Sequence, residues 1–183
     1  RLLVGSIQRI PGPAATIAYL SEDGGETWAP TLETPPKEHA IGTSSDPALA
    51  YAPDGTALFL SSLIPPNSSG PTRHMLLYRS PDGGRTWKEP VYFTYSDREY
   101  IVVDSTKGRY HGRIYVNGNS RVGSTAGSFT AFYSTDAGRT FTEARMPKLT
   151  TAREMGNAAV LSDGTVVGLY TAARVEGPPR NSS

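Results

Sequence analysis

Charged side chains that could bind a ligand or transfer protons are concentrated in three segments, SSDPALAY, SDREYIVVD and AREMGNAAV. They supply the carboxylates and guanidinium groups of Asp46, Asp97, Arg98, Glu99, Arg153 and Glu154. A planar guanidinium can bind a carboxylate through two parallel hydrogen bonds. These residues are therefore candidates for a ligand site, and the alternative is that they satisfy strand ends and hydrate the rim of the fold.

A second set of carboxylates belongs to an octet that occurs three times, as SEDGGETW, SPDGGRTW and STDAGRTF. Its aspartate can accept hydrogen bonds from backbone N–H groups that follow, and its glycine can adopt a positive φ. The octet is therefore interpreted as a hairpin turn. Catalytic carboxylates or calcium ligands are the alternative, but symmetric repeats would hold three such aspartates far apart. The octet residues with expected structural roles are Ser21, Asp23, Gly25, Trp28, Ser80, Asp82, Gly84, Trp87, Ser134, Asp136, Gly138 and Phe141.

The elements that would position these groups follow from the repeat. The octet aspartates lie 59 and 54 residues apart, and Asp-Gly turns occur between them in APDGT and LSDGT. The corresponding turn of the middle unit is the looser DSTKGRYHG. Short β-branched and aromatic runs separate the turns, and no window keeps a helical period. Each unit therefore has about four strands.

This pattern predicts an all-β fold, a β-propeller of four-stranded antiparallel blades. The blade units are expected at roughly 1–38, 39–95, 96–147 and 148–183, within one domain or domain fragment spanning residues 1–183. About three blades' worth of strands are present, so we expect the chain to form part of a six-bladed ring. The first strand of each blade should line the central channel, with Asp46, Glu99 and Met155 at matching positions where those strands begin.

Composition excludes several functions. The net charge is +1, so the chain has no basic field for nucleic acid or anionic lipid. No apolar run is long enough for a spanning helix. There is no cysteine, and the three histidines, His39, His74 and His111, have no metal-ligand spacing. We therefore expect no cofactor, metal, nucleic-acid partner or membrane insertion.

The octets resemble the Asp-box, the bacterial neuraminidase repeat of sialidases and related β-propellers. The first two match every position, and the third departs at Ala137 and Phe141. In that family the boxes are structural and lie away from the active site. The resemblance implies an exported, secreted or periplasmic bacterial protein that binds carbohydrate or glycoconjugate ligands. It also implies a sialidase-like glycoside hydrolase acting on terminal sugars, with a non-catalytic propeller that binds glycans or proteins as the alternative.

The resemblance further implies an active site with three arginines, a tyrosine nucleophile paired with glutamate, and an acidic aspartate. Arg9 in QRIPG is similar to the first arginine motif, although it precedes the first octet too closely, and Arg153 is a second candidate. Glu99 and Tyr100 are adjacent, so a regular strand would point them to opposite faces. No catalytic residue is assigned, and these 183 residues alone are expected not to hydrolyse sialosides.

Overall fold

A computed structural model describes residues 1–9, 13–34, 42–65, 73–94, 96–119, 129–144 and 152–172, with the backbone alone at 152–155 and 172. All the regular elements of these residues are strands, and none of them is in a helix, so the predicted all-β class is confirmed. No segment of the described chain forms a helix that could cross a membrane. The strands are β1 (Leu2–Gln8), β2 (Ala15–Ser21), β3 (Ala29–Thr34), β4 (Thr43–Tyr51), β5 (Ala57–Ile64), β6 (His74–Ser80), β7 (Val91–Thr94), β8 (Asp97–Val103), β9 (Ile114–Asn119), β10 (Phe129–Ser134), β11 (Thr142–Glu143), β12 (Ala152–Val160) and β13 (Val166–Ala172).

The strands form four antiparallel sheets in chain order. Two sheets have four strands, β4-β5-β6-β7 and β8-β9-β10-β11. They are preceded by the three-stranded sheet β1-β2-β3 and followed by the pair β12-β13. Within each sheet every strand pairs with its neighbour in sequence, and the first strands of successive sheets contact one another. This radial arrangement is that of a partial β-propeller, as the repeat predicts.

The hydrophobic core lies between the faces of neighbouring sheets. Leu58, Leu60, Met75 and Leu77 of the second sheet pack against Ile101, Ile114, Val116 and Phe132 of the third. On its other face the second sheet packs Phe59, Leu76 and Tyr78 against Ala18 and Leu32 of the first sheet. Alternating residues of β5 and β6 thus enter two different cores, which is why the segments ALFL and MLLY of these strands have no polar face.

All three octets form the same hydrogen-bonded turn. In the second octet Ser80 Oγ donates to Asp82 Oδ1 at 2.7 Å and accepts from the Gly84 N–H at 2.7 Å. Asp82 also accepts from Thr86, through the backbone N–H at 2.9 Å and the hydroxyl at 2.7 Å. The first and third octets repeat these four bonds at 2.5–3.0 Å. The octet therefore satisfies its own turn groups.

The octet aromatics differ in their surroundings. Trp87 packs 6.0 Å from Phe59 and donates from Nε1 to Thr31 Oγ1 of β3. Phe141 stacks on Phe93 of β7, with ring centroids 4.3 Å apart. Both rings therefore contact the outer strand of the preceding sheet. Trp28 belongs to the first sheet, is 40% exposed, and donates only to the local Gly25 carbonyl.

The octet aspartates predict a loss of stability in acid. Hydrogen bonds from Ser80 and Thr86 hold the pKa of Asp82 well below its usual range, and bonds from Thr27 and Ser21 do the same at Asp23. A carboxyl whose folded-state pKa is lowered stabilises the fold above its unfolded pKa and loses that contribution as the pH falls. We expect the melting temperature to drop below about pH 4.

Thermal unfolding followed at several pH values tests this expectation. The isosteric variant Asp82→Asn removes one of the titrating carboxyls, so its melting temperature should fall less steeply below about pH 4. Glu143→Gln, at an exposed carboxyl outside the octets, is the matched control. An acid profile of Asp82→Asn identical to that of the wild type would contradict the role given to the octet carboxylate.

Candidate functional site

The two edges of the sheets carry different features. We call the edge where β2, β6 and β10 end in an octet the octet edge. The β4–β5, β8–β9 and β12–β13 turns lie at the same edge because neighbouring strands are antiparallel. The candidate ligand residues lie instead where β4, β8 and β12 begin, at the opposite edge. We call this second edge the bulge edge, because β4, β8 and β12 each contain a β-bulge there.

Each of the strands β4, β8 and β12, the first strands of their sheets, contains a β-bulge near its start. The pairing register shifts by one residue between Ser45 and Ala48, between Asp97 and Tyr100, and between Met155 and Ala158. A bulge places two residues opposite one and redirects their side chains, and bulges are frequent next to active sites. The recurrence of the bulge in three sheets makes it a feature of the repeat.

The bulges correct the alignment inferred from the turns. The prediction that Asp46, Glu99 and Met155 occupy matching positions is wrong. The first of the two bulged residues is Asp46 in β4, Arg98 in β8 and Gly156 in β12, and the second is Pro47, Glu99 and Asn157. Asp46 and Arg98 both lie five residues before the ends of their strands, so Glu99 was misaligned because the turn of the middle unit, DSTKGRYHG, has no Asp-Gly to count from. In β12 the bulge lies one residue nearer the turn than in β4 and β8, which counting from the turn does not reveal.

Glu99 is the most perturbed acid of the described residues at this edge. Its side chain is 3% exposed, and neither carboxyl oxygen has a hydrogen-bond partner among the described residues. Burial raises the pKa of Glu99 well above its ordinary value, and the negative charges of Asp46 and Asp97 raise it further. Burial and like charge together favour the protonated form. A carboxylic acid held protonated can donate a proton to a leaving group.

The neighbours of Glu99 are more accessible. Asp46 and Asp97 are half-buried, and Arg98 is exposed. Asp46 and Arg98 have positive φ values of 52° and 53°, a left-handed conformation that is uncommon outside glycine. Strain of this kind is stored most often at functional sites. The bulge edge thus brings together Asp46, Asp97 and Glu99, with the guanidinium of Arg98 on the exposed side.

Two predicted arginines are not part of this cluster as described. The backbone of Arg153 lies in β12, and its side chain is outside the described residues, as are those of Glu154 and Met155. Arg9 is exposed just after β1, and the described structure gives it no hydrogen bond or ion pair with the other candidates. Ile10–Gly12 and His39 are also outside the described residues.

Sequence reasoning missed Asn117, which connects the bulges of two sheets. Asn117 lies in β9, is 6% exposed, and donates from Nδ2 to the Gly156 carbonyl in the β12 bulge at 3.0 Å. It is also paired in register with Tyr100, the residue that follows Glu99. The sequence signal that could have identified Asn117 is a side-chain amide inside the apolar run RIYVNGN, because a buried amide needs a hydrogen-bond partner.

Among the residues that the structure describes, the octet aspartates are not part of any group of three or more acids or histidines that could hold a metal ion. Each octet carboxylate is engaged by the serine and threonine of its own turn. The bulge edge is therefore the stronger candidate for chemistry.

Comparison with known proteins adds information about the fold. No protein-family model and no curated protein sequence matches the chain. Among solved structures, a protein of unknown function from Dyadobacter fermentans matches 92% of this chain at 21% identity with a TM-score of 0.59. The intramolecular trans-sialidase of Ruminococcus gnavus also matches over 92%, at 16% identity and a TM-score of 0.57. The α-L-arabinanase of Penicillium chrysogenum matches over 92%, at 17% identity and a TM-score of 0.54.

These likenesses establish the fold and not the activity, because the sequence identities are low. The chain covers 54%, 35% and 52% of the three matched chains, so it spans about half the length of two of them and about a third of the other. Its sheet topology and its length relative to these structures show that the chain has the fold of a partial propeller, similar to the propellers of the sialidase and arabinanase structures.

Proposed function

We propose that this chain is the site-bearing part of a sialidase-like glycoside hydrolase propeller that acts on terminal sugars of glycans. The observation that carries the proposal is the buried, unpartnered carboxyl of Glu99 next to the carboxylates of Asp46 and Asp97. Glycoside hydrolysis generally needs one carboxylic acid of raised pKa and a second group that remains ionised. Propeller neighbours that include a trans-sialidase and an arabinanase support this reading.

In this proposal each residue has a distinct role. Glu99 donates the proton to the leaving-group oxygen, and Asp46 or Asp97 supplies the second carboxyl group beside it. Arg98 is exposed at the same bulge and binds an acidic group of the sugar. Arg153 and Arg9 remain additional candidates for that role. Because such glycans are extracellular, the proposal includes a secreted or periplasmic location in a bacterium.

A non-catalytic glycan-binding propeller is the second candidate. It is favoured by the depth of Glu99, whose side chain is only 3% exposed and so is poorly accessible to a substrate in this conformation. Binding at Arg98 is common to both functions, whereas proton transfer from Glu99 belongs only to the hydrolase. Binding and turnover therefore have to be measured separately.

Calorimetric titration with sialyllactose tests the shared step. Arg98→Ala should weaken binding about tenfold or more, because a hydrogen bond to a charged group contributes about 1.5–3 kcal/mol. Arg139→Ala is the matched control, since Arg139 lies at the octet edge and donates to the Asp136 carbonyl at 2.8 Å. Arg139→Ala should bind as the wild type does. Unchanged affinity in Arg98→Ala, or equal losses in both variants, would contradict a site at the bulge edge.

A further inference from the structure

The β8–β9 turn is the point where the repeat departs from its own pattern. The β4–β5 and β12–β13 turns close over Ala52–Thr56 and Leu161–Thr165 with the same two backbone hydrogen bonds. The β8–β9 turn makes the equivalent pair of bonds from Asp104 to Arg113, and Gly112 has the positive φ of Gly55. This turn is therefore ten residues long where the others have five. Insertions in repeat proteins often collect on a binding face.

The longer turn forms one wall of a cleft at the octet edge. The cleft has a volume of about 220 Å³ and lies between the second and third sheets. Its apolar lining includes Pro53, Leu58, Ile114 and Ala137, and its polar lining includes Asp54 and His111. Apolar walls with a few convergent polar groups are the usual composition of a small-molecule site. Neither Asp54 nor His111 belongs to the bulge edge or to an octet.

The polar groups of the cleft have defined hydrogen-bonding roles. Asp54 Oδ1 accepts from the Thr56 N–H at 2.9 Å, and hydrogen bonds from Thr56 lower the pKa of Asp54. His111 Nδ1 is hydrogen-bonded to the Thr106 carbonyl. A carbonyl oxygen only accepts, so Nδ1 carries a proton, and in the neutral form of the ring Nε2 is the acceptor. The cleft thus offers an ionised carboxylate and an imidazole nitrogen that can both accept from hydroxyl groups.

We propose that this cleft binds a single neutral sugar ring, at a site that is separate from the bulge edge and independent of the proposed hydrolysis. One face of a pyranose ring is rich in C–H groups and can lie on the exposed Pro53 and Ala137, while its hydroxyls donate to Asp54 and His111. The volume is below the range of roughly 300–1,000 Å³ typical of sites for drug-sized ligands, so the cleft fits one ring. Asp54 would repel a sugar that carries a carboxylate.

Two-dimensional NMR tests this proposal. The isotope-labelled chain is titrated with the methyl glycosides of galactose, mannose and glucose. At least one of these sugars should produce saturable shifts of the Thr56, His111 and Gly112 amides. Asp54→Asn keeps the acceptor for the Thr56 N–H but loses the charge, and it should weaken binding about tenfold. Asp163→Asn is the matched control, because Asp163 holds the Thr165 N–H in the same way at 2.8 Å in the β12–β13 turn.

The result that supports sugar binding in the cleft is a loss of sugar affinity in Asp54→Asn with unchanged affinity in Asp163→Asn. Three results would overturn it. One is the absence of saturable shifts with all three sugars, and another is equal weakening in the two variants. The third is a set of shifts confined to residues 97–100, which would place neutral sugars at the bulge edge instead. Thermal unfolding of both variants shows whether the shared turn tolerates the substitution equally.

Discussion

Replacing Gly138 by alanine should lower the free energy of unfolding by about 2–5 kcal/mol. Gly138 has φ of +77°, and an alanine Cβ there would lie 2.6 Å from Leu77 Cδ2 and 3.2 Å from Ile114 Cδ1. Left-handed backbone costs roughly 1–2 kcal/mol for a residue with a Cβ, and overpacking a core costs about 1–3 kcal/mol. Leu77 is fully buried, so it has little room to move away.

Gly24→Ala is the control that separates the two contributions. Gly24 also has a positive φ, of +84°, but nothing lies within 4 Å of the Cβ that alanine would add. The third octet already carries Ala137 at the corresponding position, with φ of 58°. Gly24→Ala should therefore cost only about 1–2 kcal/mol. Denaturant unfolding of both variants provides the comparison, and equal losses would contradict the idea that the fifth octet position is closed by the core shared with the preceding sheet.

The octets could be predicted from sequence because their interactions are local. Each of the four shared hydrogen bonds joins residues no more than four positions apart, such as the Thr86 hydroxyl and Asp82. The order of residue types alone therefore specifies the turn. The surroundings of Trp28 and Trp87 could not be predicted in this way, because they depend on whether a preceding sheet covers the ring.

The candidate site was predicted only in outline. Asp46, Asp97, Arg98 and Glu99 were correctly expected near the starts of inner strands, but their relative positions depend on bulges that involve a second strand. The burial of Glu99 depends on packing between two sheets, and the adjacent Tyr100 is only half-buried. A charged residue in a run such as SDREYIVVD gives no local indication of such burial. The same reasoning explains why Asn117 was missed.

Glu99→Gln should reduce hydrolysis of a terminal glycoside by roughly 10²–10⁴-fold, because it removes the proposed proton donor and keeps its shape. The substitution should not weaken the fold near neutral pH. The pKa of Glu99 is higher in the folded state than in the unfolded state, where it is about 4.3. The wild type therefore loses stability as the pH rises from the unfolded-state pKa through the folded-state pKa. Glutamine does not ionise, so Glu99→Gln should be at least as stable as the wild type at neutral pH.

The central claim is that the octet edge is structural and that the bulge edge carries the chemistry. The most direct test of this claim is to measure kcat for an aryl sialoside and an aryl arabinofuranoside. It is measured on the full natural protein and on its Glu99→Gln and Asp82→Asn variants, at a temperature where all three are folded. We expect Glu99→Gln to lose nearly all turnover of the accepted substrate while keeping its stability, and Asp82→Asn to keep kcat while melting at a lower temperature. Wild-type kcat in Glu99→Gln, a loss of kcat in folded Asp82→Asn, or no turnover of either substrate by the wild type would contradict this account.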